Sequence, residues 1–321
     1  MILETIEKKN ILVTGAAGFI GSNLIKKLLD LGANVRGTTY NKAPPVNYKL
    51  VDYIKTDLRV SAECEKACKD MEYVFMCAAN SSGASVIEND PLAHLTPNIV
   101  MNAQMLSAAY LSGVEKFIFI SSNTVYPVSE ESMKESNADF TFFEKYYIVG
   151  WMKMFSEVMT NMYSEHIKRK MNTLIVRPGN IYGPYDKYNW EESKVVAALI
   201  RRFAEKQNPL EVWGDGKDIK DFIYIDDFID GLLKATFTKG LTGPVNIASG
   251  KDVTINNVIE CLMEITGENP EIKYKLGMPS MIPIRRIDTN YAFDILGWNA
   301  KTDLKEGLSK TLEWYKNFHQ C

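Results

Sequence analysis

Ile11-Leu12-Val13-Thr14-Gly15-Ala16-Ala17-Gly18-Phe19-Ile20-Gly21-Ser22-Asn23-Leu24 decides the fold. The short apolar run reads as a buried strand. Gly15, Gly18 and Gly21 form a tight turn, and Phe19 to Leu31 reads as a helix with Ile20, Leu24, Leu28 and Leu31 at helical spacing. Glycines let the backbone approach a diphosphate, whose charge then meets the free amides of the helix N-terminus. Glycine spacing alone is a weak signal, and the alternative is a purely structural turn. The strand before and the amphipathic helix after make it a phosphate-binding turn.

The alternation continues outward. Asn34–Thr39, Tyr53-Ile54, Tyr73–Met76, Phe117–Ile120 and Thr173–Val176 read as strands, separated by helices near Ser61–Lys69, Asn98–Ser112 and Val149–Glu165. This predicts an α/β fold, a Rossmann-type doubly wound parallel sheet covered on both faces. The second half is less regular, with helices at Ser193–Glu205 and Asp227–Ala235 and a strand at Phe222–Ile225. It suits a smaller substrate domain interleaved with the sheet. The expected division is 1–178 plus about 210–248 for the dinucleotide-binding domain, and about 179–209 and 249–321 for the smaller one. No repeat or linker divides the chain, and Pro44-Pro45 and Gly277–Pro283 read as loops.

Composition narrows the function. With 321 residues, 46% hydrophobic and a net charge of −3, the chain builds an ordinary core and offers little to a nucleic-acid polyanion. No apolar run approaches the ~20 residues that span a bilayer, so no membrane partner is expected. Met1–Glu7 is too acidic for a signal peptide, which predicts a cytoplasmic location. The five cysteines are scattered and odd in number, so reduced thiols are expected. Cys64 and Cys68 could share a helix face, but no further ligand completes a metal site. His94, His166 and His319 form no triad pattern.

Further blocks extend the pattern: Thr56-Asp57-Leu58, Cys77-Ala78-Ala79, Asn98, Ser121-Ser122-Asn123-Thr124-Val125-Tyr126-Pro127, Arg177–Pro184, Asp221–Asp227 and Arg285–Asp288. In this order they resemble the extended short-chain dehydrogenase/reductases of the nucleotide-sugar epimerase/dehydratase family, over essentially the whole chain. The resemblance implies NAD or NADP, held by Gly15, Gly18, Phe19, Ile20, Gly21, Asp57, Leu58, Ala78, Ala79, Asn98 and Lys153. No acidic residue follows the second strand to bind a ribose 2′-hydroxyl, while Arg36 and Lys42 flank it. That favours NADP narrowly, against the alternative that both are solvated surface charges.

Members of this family carry a tyrosine four residues before a lysine, so both lie on one helix face. The lysine holds the ribose, and the tyrosine removes a sugar hydroxyl proton as hydride leaves. Here Ser122 and Lys153 fill their positions, but Val149 stands where the tyrosine belongs. Three explanations stay open. Tyr147, or Tyr146, fills the space; Tyr185 supplies the phenol; or the protein binds cofactor and sugar without efficient redox chemistry.

Asn123 and Thr124 occupy the acidic pair of the family's dehydratases and do not titrate near neutrality, which disfavours 4,6-dehydration. Val125–Pro127, Gly183–Asp186 and Glu211–Gly216 most resemble GDP-fucose synthases and their relatives, although the acid–base cysteine and histidine of those enzymes become Thr124 and Tyr185. The resemblance therefore implies a nucleotide-sugar substrate, GDP-linked by preference, with hydride transfer at C4 in an epimerase or oxidoreductase. Thr124, Asn180, Trp213, Lys220 and Arg285 are the expected substrate contacts, the two cations for a diphosphate. Arg201 and Arg202 are expected at the surface. In this family the helices Asn98–Ser112 and Val149–Glu165 form a homodimeric four-helix bundle.

Overall fold

The computed structural model describes residues 6–81, 90–277 and 282–319. Met1–Thr5, most of the Gly277–Pro283 loop and Cys321 lie outside the described residues. Seven parallel strands form one sheet: β1 Asn10–Val13, β2 Asn34–Thr39, β3 Val51–Lys55, β4 Tyr73–Met76, β5 Lys116–Ile120, β6 Asn172–Pro178 and β7 Val245–Ile247. Their spatial order is β7-β6-β5-β4-β1-β2-β3. The direction of winding reverses between β1 and β4, and this opens a crevice at the carboxyl ends of those strands.

Alternation along the strands builds two cores. Ile11, Val13, Phe75, Ile118 and Ile120 face one side, and Leu12, Val74, Met76, Phe117 and Phe119 the other. The first side is covered by helices α1 (Phe19–Asp30) and, later in the chain, Ile225–Phe237. The second is covered by α2 (Ser61–Cys68) and α3 (Thr96–Leu111), with α4 (Tyr147–Asn161) beside α3. Because both faces are covered, the central strands are apolar throughout, which is why they read as runs and not as alternating patterns.

The later elements form the rest of the structure. Among the described residues, helices α5 (Val195–Ala204), α6 (Ile225–Phe237), α7 (Ile255–Thr266), α8 (Asn290–Leu296) and α9 (Leu304–His319) follow. Three of them, α5, α7 and α9, pack together. Leu210–Trp213 pairs in parallel with Ile272–Lys275, and Asn180–Tyr182 pairs with Phe222–Tyr224.

Some expectations change. α4 begins at Tyr147 and passes into a π-turn at Met162–His166. Arg201 and Arg202 are buried, not at the surface. Arg201 lies 3.5 Å from the centre of the exposed Trp190 ring, and both arginines donate to backbone carbonyls. A planar guanidinium can be buried in this way because ring face and carbonyl replace its water. The sequence reading missed α7, although Thr254 and Asn257 form a reciprocal cap with both bonds at 3.0 Å. Among the described residues no helix is long and apolar enough to cross a membrane.

Candidate active site at the strand ends

The glycine turn is packed so closely that side chains would strike neighbouring backbone. Gly15 has φ +65°, and a Cβ there would lie 2.8 Å from Ala78 Cα. At Gly21 a Cβ would lie 2.3 Å from the Gly15 carbonyl oxygen. The Gly15 amide donates to the Thr38 hydroxyl at 3.2 Å, and the Ser22 hydroxyl donates to the Gly18 carbonyl at 2.8 Å. Thr14 Oγ1 accepts from the amides of Cys77 and Ala78, both at 3.0 Å. This locks the Cys77-Ala78-Ala79 wall to the turn. Asn98 is buried and holds the same wall through Asn80, accepting from its amide at 2.8 Å and donating to its carbonyl at 3.0 Å. Phe19 and Ile20 are half-buried in the first turn of α1.

Past β3, Leu58 is buried and the Asp57 carboxylate takes Arg59 in a fork, at 2.9 and 2.7 Å. That pairing pulls the Asp57 carboxyl down to about 2. Arg59 also donates to the Tyr40 hydroxyl at 2.9 Å. Arg36 is engaged elsewhere: it pairs with Asp52 at 2.7 Å and donates to the carbonyls of Ala67 and Lys69 at the end of α2. Lys42 is exposed. The Tyr40–Arg59 contact went unread in the sequence because the two residues sit on different loops.

At the end of β5, Ser122 is half-buried and accepts the Thr124 amide at 3.2 Å. Thr124 is buried, and its hydroxyl oxygen has no hydrogen-bond partner. Lys153 Nζ donates to the Ile120 carbonyl at 2.8 Å, one residue from Ser121-Ser122. Burial pulls its ammonium down to about 8, with Glu157 opposing the shift and Lys194 reinforcing it. Burial raises the neighbouring Cys77 thiol, and Lys153 opposes that rise. Lys153 therefore grips the strand end that leads into Ser122.

Of the candidate phenols, Tyr147 and Tyr185 pack on other aromatic rings. Tyr147 is 53% exposed, its ring 6.2 Å from Phe142 and 6.4 Å from Trp151. Six residues along a helix put it about 120° around from Lys153. Tyr146 is half-buried, and burial pushes its phenol up to about 12. Tyr185, at φ +68°, packs 4.9 Å from Trp314 and 6.1 Å from Phe318. It shares a small depression with Ala16, Ser22, Tyr48 and Tyr53, beside the phosphate turn. Val149 is half-buried near the start of α4.

Two cations lie close to one another. Arg285 is buried, donating to the Pro127 carbonyl at 2.6 Å and the Tyr126 carbonyl at 3.0 Å, with its Nε unpartnered. Burial lowers it to about 10. The Lys220 ammonium bonds Asp218 at 3.2 Å and the Ile282 carbonyl; burial lowers it, and Arg285 repels it. The Arg285 amide donates to the Ile219 carbonyl at 2.9 Å, which keeps the two cations together. Asn180 is bound through its amide and side chain to the Asp221 carbonyl, at 2.7 and 3.1 Å. Trp213 is 36% exposed and pairs in register with Lys275.

Comparison with known proteins gives concordant findings. The profile of the NAD dependent epimerase/dehydratase family matches residues 11–248. The chain is 29% identical to GDP-mannose 3,5-epimerase 1 of Oryza sativa subsp. indica, over 97% of this chain and 82% of that protein. It is 28% identical to GDP-L-fucose synthase 1 of Arabidopsis thaliana, covering 95% and 92%. Among solved structures, UDP-glucose 4-epimerase of Thermotoga maritima with UDP-glucose superposes with a TM-score of 0.85, at 27% identity, covering 96% and 99%. The Thermus thermophilus UDP-glucose 4-epimerase complex with NAD gives 0.84 at 25% identity, covering 95% and 98%.

Proposed function

The chain belongs to the NAD dependent epimerase/dehydratase family, and on that premise we propose that it binds NAD(P) and a nucleotide sugar and exchanges hydride at the sugar C4. The observation that carries this reading is the glycine cradle locked to the Ala78 wall, with Ser122 and Lys153 at the neighbouring strand end. A Cβ at Gly15 would meet Ala78 and one at Gly21 the Gly15 carbonyl, so glycines are what allow the tight turn that a diphosphate would approach. Gly15, Gly18 and Gly21 would hold the diphosphate, with Phe19 and Ile20 in the helix turn beneath it. Asp57 and Leu58 would meet the adenine, and Ala78, Ala79 and Asn98 would wall the nicotinamide side. When bound, the nicotinamide supplies the hydride acceptor.

The chain's own groups do the rest. The Lys153 ammonium would hold a ribose hydroxyl, and Ser122 the sugar hydroxyl at the reacting carbon. Arg285 and Lys220 would meet the two substrate phosphates, Thr124 and Asn180 the sugar, and Trp213 the base or sugar. Val149 cannot take a proton, so the sugar hydroxyl must lose its proton to another group. Tyr147 would first have to leave its packing on Phe142 and Trp151, and Tyr185 its packing on Trp314.

The relatives' names favour a GDP-linked sugar among the curated sequences, while the structural neighbours include UDP-sugar complexes. GDP is our preference. NADP is narrowly preferred over NAD because no carboxylate follows β2. Arg36 adds nothing to that preference, leaving Lys42 and Arg59 as the nearby cations. Trp151 and Phe155 are exposed on α4, and Leu111 on α3, which supports a homodimer through a four-helix bundle. A cytoplasmic location completes the proposal. The division of the chain at about 178, 210 and 248 is proposed likewise.

The test is absorbance at the reduced-nicotinamide band across a panel of GDP-, UDP- and dTDP-sugars, alongside binding by calorimetry. Protein that bound neither a dinucleotide nor any nucleotide sugar would sink the proposal. Val149 favours a second reading, a dehydrogenase fold that binds both ligands without turnover. Tight binding with no absorbance change on any sugar would select it.

A further inference from the structure

The end of β5 is gripped twice by one helix face. Lys153 and Glu157 are four residues apart on α4, about 40° around its axis. Lys153 Nζ donates to the carbonyl of Ile120 at 2.8 Å. Glu157 Oε1 accepts the hydroxyl of the next residue, Ser121. Arg177, on β6, closes a fork on the same carboxylate, Nε to Oε1 at 3.0 Å and a terminal nitrogen to Oε2 at 2.6 Å. Ser121, Glu157 and Arg177 are all at least nine-tenths buried.

Successive side chains of an extended segment point to opposite sides. Ser122 is extended, at φ −159° and ψ 154°. Fixing Ser121 against Glu157 therefore turns the Ser122 side chain to the opposite side of the segment, and Ser122 is the one residue of 121–126 that is half-buried and not buried. Arg177 extends the same set of bonds. It donates to the Tyr126 hydroxyl at 3.1 Å and the Glu135 carbonyl at 2.8 Å, and Tyr126 donates to Asn246 at 2.6 Å. The Tyr126 carbonyl in turn receives Arg285 at 3.0 Å.

We propose that Glu157 is a positioning residue: clamped by Arg177, it holds Ser121 so that Ser122 faces the crevice, and it sets a carboxylate one helical turn from Lys153, which grips the adjacent Ile120 carbonyl. The inference rests on the roles proposed above for Ser122 and Lys153. An alternative role for the Glu157–Arg177 pair is packing alone, tying α4 to the sheet. The charged and titratable groups facing Lys153 are Glu157 from its own helix, Cys77 from the end of β4 and Lys194 from the start of α5. Glu157 is the carboxylate of that set.

Two readouts need no cofactor. The first is competitive acetylation of lysines across pH in the full chain, followed by peptide mass spectrometry, which gives the midpoint at which Lys153 becomes reactive. Glu157→Gln keeps the shape and removes the charge. Its Lys153 midpoint should fall by about one pH unit, a roughly fivefold rise in neutral amine at pH 7. The second is amide hydrogen exchange in Ser121→Ala, which leaves the ion pair intact. Exchange at residues 120–124 should accelerate roughly tenfold, with β1 and β2 unchanged.

A folded Glu157→Gln protein with the original Lys153 midpoint would overturn the proposal. Unchanged exchange at 120–124 in Ser121→Ala would overturn it too, and decides the matter if Glu157→Gln does not fold. A chain that binds no dinucleotide would instead refute the proposed function, and both readouts would remain measurable.

Discussion

Replacing Gly21 by alanine should separate cofactor affinity from stability. The added Cβ would sit 2.3 Å from the Gly15 carbonyl oxygen and 3.2 Å from Ala16 Cα. Both neighbours are backbone, so no side chain can rotate aside. The turn must open by about 1 Å, and overpacking of this kind costs about 1–3 kcal/mol. For a chain of this length the melting temperature should fall by roughly 1–4 °C. The same opening displaces the amides that meet a diphosphate. Losing one hydrogen bond to a charged group costs about 1.5–3 kcal/mol, which is roughly 10- to 150-fold in Kd. Gly113→Ala is the control. Gly113 has φ +72° with nothing within 4 Å of a Cβ, so alanine there brings only left-handed strain, about 1–2 kcal/mol. Thermal melts and tryptophan-fluorescence titrations with NAD and NADP measure both quantities. The reasoning is refuted if Gly21→Ala binds dinucleotide as tightly as the unaltered chain, or if Gly113→Ala loses affinity to the same degree.

Three further outcomes are expected. Val149→Tyr restores a phenol one helical turn before Lys153, and positioned acid–base groups contribute about 10²–10⁴-fold; turnover should rise by at least tenfold on the best sugar nucleotide, and no rise would exclude the missing phenol as the limiting defect. Arg285→Met should weaken nucleotide-sugar binding by roughly 30-fold or more while sparing dinucleotide binding, and equal weakening of both in calorimetry would count against a substrate role. Burial lifts the Asp221 carboxyl from 3.8 to about 6 although it accepts bonds from Ser249 and Gly250. Between those pH values the folded chain binds a proton that the unfolded chain does not, so this contribution grows as pH falls and is lost as pH rises through 6. The stability of the unaltered chain relative to Asp221→Asn should therefore improve from pH 7 to pH 4.5, and urea unfolding showing the reverse slope would contradict the assignment.

Sequence legibility followed the range of the interactions. The turn at Gly15–Gly21 was legible because strand, glycines and helix are contiguous. The covered strands β4 and β5 were legible because burial on two faces leaves an unbroken apolar run. Arg201 and Arg202 were misplaced because their burial depends on Trp190 and on carbonyls of other segments. The short strands Leu210–Trp213 and Ile272–Lys275 were missed or left open because they exist only as a pair across sixty residues of chain. Asn98 was recognised by its position, but its bonds to Asn80 are tertiary.

The amino-acid order by itself determined the parallel sheet, the glycine turn and the absence of a tyrosine at position 149, since each depends on neighbours within a few residues. Tertiary structure decided which groups act together. Arg36 went to Asp52 and not to the cofactor edge, Arg285 came beside Lys220, and Glu157 came to hold Ser121 from another element. Long side chains reach several ångströms in any direction, so their partners are set by packing between distant segments and not by spacing along the chain.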